Sequence, residues 1–145
     1  MSYYILLSPL TAGFIAQIIK LFLKSNHQKF SLANLMVYSG MPSGHSAMIV
    51  SLATIIGLEE GLKSPLFSMS IILAIIVIRD ALGIRRYLGQ HGHILNILVK
   101  DLKDDDVLEA KYPYLLEKIG HTPAQVFAGS IIGLLVSVVI YFFAG

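Results

Sequence analysis

The chain has 145 residues, 55% of them apolar and only 14% charged, and its mean hydropathy is +0.72. Soluble domains carry about 25% charged residues, so this composition describes a single membrane-embedded domain. A net charge of +2 excludes a nucleic-acid surface, and the absence of cysteine excludes a disulfide framework, thiolate chemistry and cysteine metal sites.

The first residues, MSYYILLSPL, lack the basic start of a cleavable signal, and their apolar run continues to full span length. A crossing helix needs about 20 apolar residues. Tyr3 to Leu23 meets this, with Pro9 near one end and Lys20 near the other. Ser46 to Leu58 is apolar over 13 residues and Pro65 to Ile78 over 14. Both extend through small or interfacial residues into expected spans at 45–60 and 64–83. The second continues through RDALG, with Arg79 and Asp80 expected to face protein rather than lipid. A pair of half-buried or re-entrant helices is the alternative. Ala124 to Ala144 carries no charge and gives a last span at 121–144.

Charge placement supports four crossings. Lys20, Lys24 and Lys29 lie at or after the end of the first span, and seven more basic residues lie from Arg79 to Lys118. Only Lys63 falls between the second and third spans, a split of ten to one. The positive-inside rule then predicts external termini, cytoplasmic long connections and a multi-pass protein of the cell membrane.

The segment 84–120 is the one sizeable polar stretch. Ile94, Leu95, Leu98, Val99 and Leu102 have helical spacing, which predicts an amphipathic helix at the cytoplasmic interface. Beyond Pro113, Leu115, Leu116 and Ile119 suggest a further short helical turn. The expected fold is thus all-α, with four transmembrane helices and a cytoplasmic amphipathic segment, forming one domain over 1–145.

Three stretches carry candidate chemistry. In GMPSGHSA, Pro42 and Ser43 suit a helix start, Gly44 admits close approach to the backbone, and the helix beginning near His45 offers free N–H groups to an anion. A capped helix with an incidental histidine explains the same residues. In GHTPAQVFAGSIIG, His121 precedes Thr122 and Pro123, another helix start, on the side of the membrane expected for His45. Gly129 and Gly133, four apart, suit close packing within the bundle, or else the seam of a homodimer. In RDALGIRRYLGQHGHILN, Arg79 and Arg85 suit phosphate oxygens, and Asp80 is placed to pair with either. His91 and His93, two apart, point to different faces of a helix and read as interfacial or loop residues. The carboxylates Asp101, Asp104, Asp105 and Asp106 lack calcium-loop spacing and read as a solvated run.

Together GMPSGHSA, RDALGIRRYLGQHGHILN and GHTPAQVFAG resemble motifs of the type 2 phosphatidic acid phosphatases. That superfamily includes vanadium haloperoxidases and bacterial acid phosphatases, and the chain looks most like its divergent membrane branch. The resemblance covers about residues 10–140. It implies a phosphatase that forms a phosphohistidine, without metal or cofactor. His121 matches the nucleophile and His45 the general acid, while Ser43 and the Gly44 amide match the phosphate cradle. Lys20 or Lys24 matches the first-motif lysine, but the arginine-proline that should follow is missing. The last motif's arginine is also missing, and Arg79 or Arg85 stands as a substitute. Gln125 occupies the place of the aspartate that orients the nucleophile. The implied substrate is a phosphorylated lipid held at the bilayer. A non-catalytic protein that binds or transports such a lipid is the competing class, and a purely structural subunit a third.

Overall fold

The computed structural model describes residues 3–23, 40–101, 115–117 and 119–144, and every regular element among them is a helix. In chain order these are α1 (Tyr4–Phe22), α2 (Gly44–Glu59), α3 (Pro65–Leu82), α4 (Ile84–Asp101) and α5 (Pro123–Ala144). The protein is an all-α integral membrane protein. α1, the helical run beginning at Pro65, and α5 are long and apolar enough to cross a bilayer, whereas α2 has only 16 residues. At 1.5 Å per residue α2 is about 24 Å long, short of a hydrocarbon core of about 30 Å. Its place in the bundle explains why that suffices. α2 packs against α1, α3 and α5, and half of it is buried, including Ser46, Ala47, Ser51 and Ile55. Neighbouring helices, rather than lipid, cover its flanks.

The turn between α2 and α3 is built from GLKSP. Gly61 takes a left-handed φ of 84°, the Ser64 hydroxyl accepts the Phe67 N–H at 3.1 Å, and Pro65 opens the helix where its missing N–H is harmless.

Large apolar side chains such as Leu10 and Phe14 of α1, Ile72 and Ile76 of α3, and Leu134 and Phe142 of α5 are exposed. They form the lipid-facing surface. Lipid tails are as apolar as leucine, so the helices are joined by close packing and hydrogen bonds instead. Ala12, Ala16 and Ala47 form a fully buried core. At Gly129 and Gly133 an added methyl would collide with the carbonyl oxygens of Ser43 and Ala47. Both glycines therefore lie against α2, within the bundle. Deeper in, the hydroxyls of Ser8, Ser51 and Ser137 close a triangle with sides of 2.9, 3.0 and 2.8 Å.

α4 is the expected amphipathic helix; it begins at Ile84 and so includes the glycine-rich piece whose histidines read in sequence as interfacial or loop residues. Gly89 and Gly92 are needed because the backbone of Leu116, Glu117 and Ile119 runs against them. That segment is not the helical turn expected at Leu115, Leu116 and Ile119. Asn96 captures it instead, donating to the Leu115 carbonyl at 2.9 Å and accepting its N–H at 3.0 Å. Glu117 takes the Asn96 amide at 2.9 Å on one oxygen and faces His93 Nδ1 at 2.8 Å on the other. Asp104, Asp105 and Asp106 lie outside the described residues.

Candidate functional site

The C-terminal ends of α1 and α3 and the N-terminal ends of α2 and α5 meet at one end of the bundle. Backbone bonds tie them together: Ser43 N–H donates to the Gln125 carbonyl at 3.0 Å, and His121 N–H donates to the Ala81 carbonyl at 3.0 Å. The two histidine motifs are thus joined by main chain before any side chain is considered.

Ser43 caps α2. Its buried hydroxyl oxygen accepts from the Ser46 N–H at 3.3 Å and the Ser46 hydroxyl at 3.0 Å. The first intrahelical bond runs from the Ala47 N–H to the Ser43 carbonyl. The Gly44 and His45 amides precede it and belong to the open end of the helix, where the dipole favours an anion.

α5 starts with a reciprocal cap between Thr122 and Gln125. The Gln125 N–H approaches the Thr122 hydroxyl at 3.4 Å, and Gln125 Oε1 accepts the Thr122 N–H at 2.9 Å. The same oxygen lies 3.3 Å from His121 Nδ1. Because a backbone donor fixes which end of the carboxamide is oxygen, Nδ1 must be the ring nitrogen that carries hydrogen. Nε2 is left with its lone pair.

His121 is buried and His45 is exposed; their ring centroids are 6.3 Å apart and the rings are inclined by 54°. The charges of Lys20 and Arg85 act on both imidazoles, and that of Asp80 acts on His45. Lys20 is almost wholly buried, and Arg85 is paired with Asp80. Burial holds His121 below the usual histidine range; the Gln125 bond opposes this, while Lys20, His45 and Arg85 reinforce it.

The structure therefore brings together His45, His121, Gln125, Ser43, Gly44, Lys20, Arg85 and Asp80. Arg79 does not join them. Its side chain is exposed on the face of α3 that continues Ile72, Ile75 and Ile76, so it faces outward rather than toward protein. Lys24 lies outside the described residues. Among the described residues no three or more His, Cys, Asp or Glu side chains cluster as a metal site would require. One neighbour escaped sequence reading. Gln17, one turn before Lys20, packs its carboxamide against Gly44. The only signal was its spacing, three residues before Lys20 on a largely apolar helix.

Comparison with known proteins bears on the family. The sequence model of the divergent PAP2 family matches residues 1–136. A relative from Bacillus subtilis (strain 168), described as "Uncharacterized membrane protein YuiD", is 40% identical over 151 aligned residues, covering 95% of this chain and 94% of the relative. No solved structure matches. The motifs and a family match over residues 1–136 converge on one assignment: the chain belongs to the divergent PAP2 family.

Proposed function

We propose that the protein is a lipid-phosphate phosphatase that works through a phosphohistidine at the cytoplasmic face of the membrane. The observation that carries this reading is the pairing of a tautomer-fixed His121 with His45, 6.3 Å apart at the starts of two helices. Nε2 of His121 attacks phosphorus, the bond from phosphorus to the ester oxygen breaks, and His45 gives that oxygen its proton. Water then attacks the phosphohistidine, returns a proton to His45 and frees His121. Lys20, Arg85 and the Gly44 and His45 amides balance the charge on the phosphoryl oxygens. Such donors act most strongly where water is scarce.

A lipid substrate suits a site at the end of a bundle whose outer surface is apolar. The ten-to-one distribution of basic residues favours the cytoplasmic side. A reporter at either terminus is expected to read as external, and one inserted near Asp105 as cytoplasmic; the reverse pattern would refute the assignment of sides.

Purified protein is expected to release phosphate from a lipid phosphate, and vanadate is expected to block release. No release from a panel of lipid phosphates would refute the enzyme reading. One observation favours a non-catalytic binder: Gln125 orients His121 but brings no negative charge to stabilise its cation after attack. Gln125→Glu keeps the reach and the helix cap, and adds that charge. It is expected to raise the rate, provided the carboxyl stays ionised. Activity gained from an inactive parent would identify the pocket as a disabled phosphatase.

A further inference from the structure

We propose that Gln17 is a specificity-determining residue, one that accepts a hydrogen bond from a hydroxyl carried by the bound phosphate compound. The proposal rests on the anion site described above.

Gln17 shares a face of α1 with Lys20, three residues on. A Cβ at Gly44, the first residue of α2, would lie 3.4 Å from Gln17 Nε2 and 3.7 Å from its Cδ. The carboxamide thus forms part of the wall beside the Gly44 and His45 amides. Its Oε1 is fully buried and has no hydrogen-bond partner in the structure. Leaving a buried acceptor unmet is destabilising, and such atoms are few in native proteins. Packing does not demand the polar group. The neighbouring buried positions of α1 are Ala12, Gly13 and Ala16, and an unbranched apolar residue would fill the place of Gln17 without that cost.

The surrounding groups indicate what would meet the oxygen. Lys20, Arg85 and the helix-start amides are all donors. A fully ionised phosphate offers them acceptors, but offers a carbonyl oxygen only repulsion. The partner of Oε1 must be a hydrogen-bond donor, and on a phosphate or an alcohol that donor is an O–H. Two sources share this chemistry: the P–OH of a singly protonated phosphate, and an alcohol hydroxyl next to the phosphorus-bearing group.

Gln17→Met keeps length and removes both polar atoms. Thermal shifts would be measured for parent and variant with ethylphosphonate and 2-hydroxyethylphosphonate, whose C–P bonds resist hydrolysis. Each would be tested below and above its own second ionisation, which for an alkylphosphonate lies higher than the value of about 6 of a phosphomonoester. One net hydrogen bond corresponds to roughly a 3- to 10-fold change in affinity. If the alcohol is read, the parent prefers the hydroxyethyl compound by that factor and Gln17→Met loses the preference. If P–OH is read, the variant weakens for both compounds, and only below the ionisation. Histidine titration is common to parent and variant and cancels in their ratio. Unliganded Gln17→Met is expected to melt at or above the parent temperature. A variant that binds both compounds like the parent at both pH values would overturn the proposal, as would an unliganded variant that melts lower. A parent that binds neither compound would sink the anion site itself, and this proposal with it.

Discussion

Replacing His121 by alanine is expected to abolish phosphate release from every lipid phosphate while leaving binding measurable. In the proposed mechanism Nε2 is the atom that bonds to phosphorus, while His45 serves as the proton donor. Removing the nucleophile of a hydrolase costs on the order of 10⁶ in kcat. Binding survives because Lys20, Arg85 and the helix-start amides remain. Labelled lipid phosphate should leave an acid-labile phosphoryl group on the parent and none on His121→Ala. A variant that still turns over would exclude His121 as the nucleophile.

The environment of His121 adds a pH signature to this result. Attack requires the neutral ring, and burial keeps the ring neutral below the ordinary histidine value of about 6.5. The acid limb of kcat/KM should therefore lie below that value. Stability follows the same sign. Below about pH 6.5 the unfolded chain binds a proton at this residue that the folded chain refuses, so unfolding becomes easier as pH falls. Well above that value the residue contributes no pH dependence. His121→Ala should flatten this part of the melting profile.

Replacing His45 by alanine is expected to slow turnover of a lipid phosphate by about 100- to 10,000-fold, the usual range for general acid–base catalysis. The loss should shrink sharply for a p-nitrophenyl ester. An alkoxide is a poor leaving group and needs its proton early, whereas p-nitrophenolate departs without one. This contrast separates an acid from a residue that merely shapes the pocket, since a shaping residue would slow both esters alike. Equal losses on the two esters would remove His45 from the proton-transfer role.

Much of this architecture could be read before any coordinates. The apolar runs located the helices because length and hydropathy constrain membrane spans strongly. Ser43, Thr122 and Pro123 marked two helix starts through capping chemistry that operates within four residues. What could not be read was the meeting of distant polar groups. Gln17 looks like any glutamine near the end of a span until α2 is laid beside it. The glycine-rich piece around His91 and His93 left interface and loop both open, because a glycine that yields to a crossing backbone looks the same in sequence as one that turns the chain. Arg79 was drawn toward the site by Asp80, its neighbour in sequence. On a helix, adjacent residues are about 100° apart, and Asp80 paired with Arg85 instead.

The serine triangle has a consequence for assembly. Ser8 and Ser51 belong to α1 and α2, which enter the membrane well before α5 is made. Together they form a polar socket that the last helix completes with Ser137. A shift of α5 by one residue, about 1.5 Å along its axis and 100° around it, would carry that hydroxyl away from both partners. The triangle therefore works as a checksum on docking: three oxygens from remote parts of the chain agree on one depth and one rotation. That same rotation brings Gly129 beneath Ser43 and sets His121 beside His45.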